Sequence, residues 1–207
     1  MSGLATWVLV PVKERARCKS RLAGSMSPKS RLALVRLMLH HVLTVAQATP
    51  GIDHVAVVSR EDHDICDGVR FISDPTPGLN QALWLGMQRL RALGAERVIV
   101  IPADLPRLGS DDLHALLVTL SERDGALAPD WRGTGTNAIA FDLRRLSGVP
   151  FRFSFGEESF LRHVKEFRLH GLSHRTIRRP GLALDIDEPP SLRRMATQFR
   201  IAAGVVT

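Results

Sequence analysis

A chain of 207 residues allows one domain with a sizeable core and leaves little room for a second. Its 44% hydrophobic and 24% charged content suits a soluble globular protein, no apolar run reaches membrane-spanning length, and two cysteines, Cys18 and Cys66, without C-x-x-C spacing argue against a disulfide framework or a zinc site. The surplus of 28 Lys plus Arg over 21 Asp plus Glu points to anionic partners, while 5% aromatic content without tyrosine argues against a nucleic-acid-binding module, which would need a stacking platform.

The apolar start, Leu4 to Val12, has no basic segment before it and therefore reads as a first strand, Ala5 to Pro11, instead of a signal peptide. With so few cysteines, a reducing cytoplasm is the expected setting. Five cations follow within nine residues, Lys13, Arg15, Arg17, Lys19 and Arg21, opposed only by Glu14. A loop of that kind at the carboxyl end of a strand either cradles a triphosphate or is a solvated basic loop. The stretch Gly24 to Ser30, G-S-M-S-P-K-S, falls one residue short of a P-loop, and Pro28 removes a backbone N–H that phosphate would need. Ser27 and Pro28 instead form a capping pair that opens a helix to about Thr49. His40 and His41 on it read as packing or surface residues.

Asp53 to Ser59 and Val69 to Ser73 read as strands. Pro75, Pro77 and Gly78 then make a rigid turn before a helix to about Leu93. Asn80 near its start is either a cap or a base-reading amide, since it offers both donor and acceptor.

The stretch V-I-V-I-P-A-D-L-P, Val98 to Pro106, has the composition of a central parallel strand buried on both faces. Asp104 emerges just past its carboxyl end, where open α/β sheets place their ligands. It is suited either to a divalent cation, with magnesium the natural choice, or to a helix cap. Ser110 is expected to cap the next helix, with Asp111 and Asp112 complementing its dipole. Gly125 to Pro129 and Asn137 to Phe141 read as strands. Between them, W-R-G-T-G-T-N offers Thr134, Thr136 and Asn137 to an anion, or is an ordinary hairpin turn.

Gly156 precedes a helix whose first turn holds Glu157, Glu158 and Ser159, a plausible anion seat only if a cation offsets the two acids. Leu182 to Asp187, L-A-L-D-I-D, reads as a last strand in which Asp185 and Asp187 share one face. Two crowded carboxylates repel unless a cation or a proton lies between them. A phosphatase D-x-D is less fitting, because that motif belongs on a first strand.

Taken together, V-P-V-K-x-x-x-x-C-K-S-R-L, G-L-N-Q-A-L, P-A-D-L-P, G-T-N-A-I-A-F, F-G-E-E-S-F-L-R-H and L-D-I-D-E-P, in that order, resemble the guanylyltransferases of deazaflavin coenzyme F-420 biosynthesis. The likeness runs through nearly the whole chain. It implies an α/β fold of the GT-A-like nucleotidyltransferase type, a Rossmann-like three-layer sandwich around a mostly parallel mixed sheet in a single domain. It also implies GMP transfer from GTP to a three-carbon phospho-acid: phosphoenolpyruvate, 2-phospho-L-lactate or 3-phospho-D-glycerate. By resemblance, Asp104, Asp185 and Asp187 bind magnesium, and Thr136, Gly156 and Ser159 hold the phospho-acid. Lys13, Lys19 and Arg21 meet the GTP phosphates, Lys19 and Arg21 joining Asp104 in catalysis, and Asn80 reads the base. No nucleic acid or membrane partner is implied, and the oligomeric state is left open, a homodimer included. A molybdopterin or sugar-phosphate nucleotidyltransferase of the same fold is the alternative. The departure from the wider superfamily is the loop after strand one, where no glycine appears between Ala5 and Gly24.

Overall fold

The computed structural model describes residues 4–14, 19–63, 65–76, 78–146, 150–187 and 189–192. Arg15, Arg17 and Cys18 of the basic loop, Pro77, and the residues after Leu192 lie outside the described residues. The elements follow in the order β1 (Thr6–Pro11), α1 (Pro28–Ala48), β2 (His54–Ser59), β3 (Val69–Ser73), α2 (Leu79–Ala92), β4 (Arg97–Val100), α3 (Ser110–Glu122), β5 (Gly125–Pro129), β6 (Thr136–Asp142), α4 (Ser159–Leu169), β7 (His174–Thr176), α5 (Pro180–Ala183) and α6 (Pro189–Leu192). Among the described residues no helix is long and apolar enough to cross a membrane.

The strands form one sheet in the order β3-β2-β1-β4-β6-β5-β7. β6 runs antiparallel to β4 and β5, and the other pairings are parallel. Val8 stands abreast of Val55 on one side and Ile99 on the other, so β-branched side chains fill the sheet centre.

Alternation along these strands divides the core into two layers. Val8, Val10, Val55, Val57 and Ile99 pack with Leu39, Val42 and Leu43 of α1 and Leu113, Leu116 and Leu120 of α3. Trp7, Leu9, Val58, Val98 and Val100 face the opposite way, toward Leu83, Met87 and Leu90 of α2 and Phe167 of α4. The result is the expected three-layer sandwich. Each fully buried Leu or Met in these layers contributes about 1.5–3 kcal/mol. α4 lies so close to the sheet that a Cβ at Gly125 would overlap the Phe167 ring.

α1 begins as its sequence requires: Ser27 Oγ accepts the Ser30 N–H at 3.1 Å, and Pro28 takes the first helical position. Its buried residues, Leu34, Val35, Met38, Leu39, Val42, Leu43 and Ala46, recur at helical spacing. A third, smaller core joins Leu22, Met26, Leu34 and Met38 to Leu184, Ile186 and Leu192. It fastens the chain's late segment onto the loop that follows β1.

Three expectations are corrected here. Residues 182–187 are not a strand: Leu182 and Ala183 close α5, and residues 184–187 run on outside the sheet. Gly109, not Ser110, caps α3, with the Asp112 carboxylate accepting the Gly109 N–H at 2.9 Å. Glu157 and Glu158 precede α4, whose first residue is Ser159. The edge strand β7 has no counterpart in the sequence reading.

Candidate active site

Because β6 runs opposite to its neighbours, its first residue lies at the sheet edge where β1 and β4 end. A cavity of about 1020 Å³ opens at that edge, lined among others by Lys13, Lys19, Arg21, Asp104, Thr136, Gly156, Ser159, Asp185 and Asp187. Nine of the ten residues expected at the site therefore meet there.

The cationic side is built on a turn. Lys19 has a left-handed backbone (φ 53°) and leads into a single 3-10 turn, Ser20–Leu22, whose Leu22 is wholly buried in the third core. That anchor turns the Lys19 side chain inward, where it is 8% exposed. Its ammonium forms an ion pair with Asp104 and lies 2.8 Å from Asp187 Oδ1. Burial lowers the Lys19 pKa, but the Asp104 and Asp187 carboxylates outweigh it and hold the ammonium above its usual value.

The acidic side comes from two segments. Asp104 follows β4 and does not cap α3, which starts six residues later. Asp185 and Asp187 flank Ile186, whose wholly buried side chain packs in the third core, and the Ile186 N–H reaches Asp104 O at 3.3 Å. Burial, then the charge of Asp104, raise Asp185 to about 6, with Asp187 adding to the effect and the Asn137 amide opposing it. Burial also raises Asp187, but Lys19, with Lys13 and Arg21 behind it, more than offsets this and leaves its carboxyl below the usual range.

These residues fit a hard divalent cation. Asp104 Oδ1 is buried without a hydrogen-bond partner among the described residues, and Asp185 is strained by its acidic neighbours. As the side chains stand, no set of three or more His, Cys, Asp or Glu is closed into a metal geometry among the described residues, and it is the Lys19 ammonium that joins Asp104 to Asp187.

Opposite lies a wall that carries the hydroxyl residues Thr134, Thr136 and Ser159 together with Glu157 and Glu158. The pairing of β5 with β6 slips between Ala128 and Pro129, so that Pro129 pairs with Thr136 and Ala128 with Ala138, leaving Asn137 as an extra residue. This bulge inverts the alternation. Thr136 turns to α4, where its N–H donates to Ser159 Oγ at 2.9 Å and its Oγ1 lies 2.9 Å from His163 Nδ1. Asn137 turns the other way and donates to Leu182 O at 2.9 Å and to Asp185 Oδ1 at 3.3 Å. Its amide thus steadies a carboxylate and is not spent on an anion. Gly156 (φ 127°) and Glu158 (φ 51°) shape the turn before α4, a backbone region that suits glycine, and Ser159 N–H closes it on Gly156 O at 3.2 Å.

The family model described as "Guanylyl transferase CofC like" matches residues 6–197. The chain belongs to this family. A phosphoenolpyruvate guanylyltransferase of Sphaerobacter thermophilus is 38% identical over 205 residues, 97% of each chain. A 3-phospho-D-glycerate guanylyltransferase of Phenylobacterium zucineum is 35% identical, over 87% of this chain and 85% of its own. In fold, the CofC-like chain is similar to a solved Desulfovibrio desulfuricans G20 protein named among the nucleotide-diphospho-sugar transferases, with a TM-score of 0.75, 19% identity, and 96% and 91% of the two chains covered. By its family and its guanylyltransferase relatives, the CofC-like chain is a nucleotidyltransferase.

Asn80 is the one expected site residue that does not line the cavity of this CofC-like chain. Gly78 takes the cap position of α2, so Asn80 is not the cap. Its Nδ2 donates to Phe155 O at 3.2 Å and its Oδ1 accepts the Phe155 N–H at 2.8 Å. The amide is a clamp on the strap that carries Gly156. His163, the last residue of F-G-E-E-S-F-L-R-H but assigned no role from the sequence, is the further residue of interest; its spacing of four from Ser159 on one helix face is the available signal.

Proposed function

We propose that this chain transfers GMP from GTP to the phosphate of a three-carbon phospho-acid, with phosphoenolpyruvate the first candidate and 3-phospho-D-glycerate the next. The phosphate oxygen attacks the α-phosphorus, the bond to the β-phosphate oxygen breaks, and pyrophosphate leaves. The product would be the guanylylated phospho-acid needed on the way to deazaflavin coenzyme F-420.

One observation carries this reading: the Asp104, Asp185 and Asp187 carboxylates and the Lys19 ammonium meet at one cavity whose facing wall is lined by Thr136 and Ser159. A phosphate monoester has a second pKa of about 6 and is largely ionised near neutrality, so the nucleophile needs no general base. Lys13, Lys19 and Arg21 offset the charge of the triphosphate and its leaving pyrophosphate. Thr136, Ser159 and the turn at Gly156 orient the phospho-acid for in-line attack. Magnesium, held by Asp104, Asp185 and Asp187, would supply charge neutralisation at the attacking and leaving oxygens.

The test is pyrophosphate release with magnesium, each of GTP, CTP, UTP and ATP, and each of phosphoenolpyruvate, 2-phospho-L-lactate and 3-phospho-D-glycerate, with a condensing enzyme trapping labile product. Release with GTP and a phospho-acid is expected, and Asp104→Asn should lower it by about a hundredfold or more with its circular dichroism unchanged. Parental turnover in Asp104→Asn would overturn the assignment of the acidic residues, and turnover restricted to another nucleotide would overturn the guanylyl reading.

A further inference from the structure

His163 is wholly buried on α4, with the Phe155 ring 4.8 Å and the Phe151 ring 6.4 Å from its imidazole. Both ring nitrogens are engaged. The backbone N–H of Ser154 donates to Nε2 at 2.9 Å, and since a peptide N–H can only donate, Nε2 carries a lone pair and no proton. The proton of the neutral ring therefore sits on Nδ1, which faces Thr136 Oγ1 at 2.9 Å. Burial alone pushes the His163 pKa down to about 4, so the ring stays neutral near neutrality.

The direction of each neighbouring hydrogen bond follows. Thr136 Oγ1 accepts from His163 and keeps its own proton to give. Ser159 Oγ accepts from the Thr136 N–H and is in the same position. Among the described residues neither hydroxyl makes another hydrogen bond, and both residues line the cavity.

We propose that His163 is a positioning residue which holds the Thr136 hydroxyl as acceptor on its imidazole side and so leaves the Thr136 proton to be donated into the cavity, beside the Ser159 hydroxyl that the Thr136 N–H holds in the same way, so that this wall offers two donors to a carboxylate or a phosphate. The proposal rests on the phospho-acid reading given above. It assigns His163 no contact with substrate and no part in proton transfer. Its effect is to align the Thr136 donor before the anion arrives, which lowers the cost of ordering it on binding.

Two measurements decide it. In the ¹⁵N-labelled protein, long-range proton–nitrogen correlations of the imidazoles, with the His163→Asn spectrum identifying His163 among eight histidines, should show a proton on Nδ1 and none on Nε2 from about pH 5.5 to about pH 8. A proton on Nε2, or an imidazolium in that range, overturns the proposal. In kinetics, His163→Asn keeps an N–H near Nδ1, whereas the isosteric His163→Asp puts an acceptor there that captures the Thr136 proton and turns a lone pair on the cavity. KM for phosphoenolpyruvate should rise about tenfold or more in His163→Asp, with KM for GTP within about twofold, and His163→Asn should stay near the parent. Equal KM values for the phospho-acid in the two variants would overturn the positioning role. If no phospho-acid supports turnover, the functional reading falls, and calorimetric binding of phosphoenolpyruvate and inorganic phosphate to the two variants, with the tautomer measurement, still decides the hydrogen-bond direction.

Discussion

Lys19 and Asp187 are 168 positions apart in sequence, yet Nζ of one lies 2.8 Å from Oδ1 of the other. The same ammonium holds Asp104, so one buried cation ties the loop after β1 to both acidic segments. It occupies the carboxylates that a divalent cation would use, and the two must compete for them. Replacing Lys19 with Met should raise the affinity of the nucleotide-free protein for Mn²⁺ about tenfold, read by calorimetry or electron paramagnetic resonance. Turnover should fall in the same variant. Unchanged Mn²⁺ affinity would show that the ammonium and the metal do not share these oxygens.

Asp185 makes the cation-free protein sensitive to pH. Its folded pKa of about 6 stands above the ordinary 3.8, so the native state binds more protons than the unfolded chain between those values. Its contribution to stability is therefore greatest below about pH 4 and is lost as pH rises through about 6, by roughly 1–3 kcal/mol. Asp185→Asn keeps an acceptor for Asn137 and removes the titration. Denaturant unfolding in chelated buffer should show this variant more stable than the parent at pH 7 and no more stable at pH 4. A constant difference across that range would count against the shift.

The Asn80 clamp predicts a kinetic signature opposite to base reading. Asn80→Ala loosens the Phe155 strap, so KM for the phospho-acid should rise about tenfold while the preference for GTP over ATP stays within about twofold. A collapse of the GTP preference would return Asn80 to the base.

Ile186 sets the positions of the two acids beside it. Ile186→Ala should cost about 2–4 kcal/mol in denaturant unfolding, and Ile186→Val about 0.5–1.5 kcal/mol. Turnover at limiting Mg²⁺ should fall in the Ala variant and recover at high Mg²⁺. Failure of added metal to restore it would mean that Ile186 supports the fold without setting the carboxylates.

The sheet was legible where burial and hydrogen bonding coincide. β3 and β5 match their predicted limits, and β1 is off by one residue, because aliphatic runs bounded by turn residues leave little choice. Residues 184–187 show why such patterns mislead: Leu184 and Ile186 are buried and Asp185 and Asp187 only partly so, as in a strand, but no described strand pairs with them. β7, His174-Arg175-Thr176, has no apolar run to announce it. At the site, cations, carboxylates and hydroxyls could be named from their types and order. The roles of Asn80, Asn137 and His163 depend on bonds across long stretches of chain, which no local pattern encodes.

The slipped register of β6 has one more consequence. Thr136 and Asn137 are consecutive, so the wall meant for the acceptor and the amide that steadies Asp185 are separated by a single residue, about 3.3 Å of chain. Neither half of the centre can drift along the strand without carrying the other. Removing Asn137 would close the bulge and restore regular pairing, which keeps Thr136 toward α4 but leaves Asp185 without its amide. Insertions and deletions are thus far more restricted at this pair than in the turn just before it, and the distance between donor and acceptor subsites is ruled by the backbone itself.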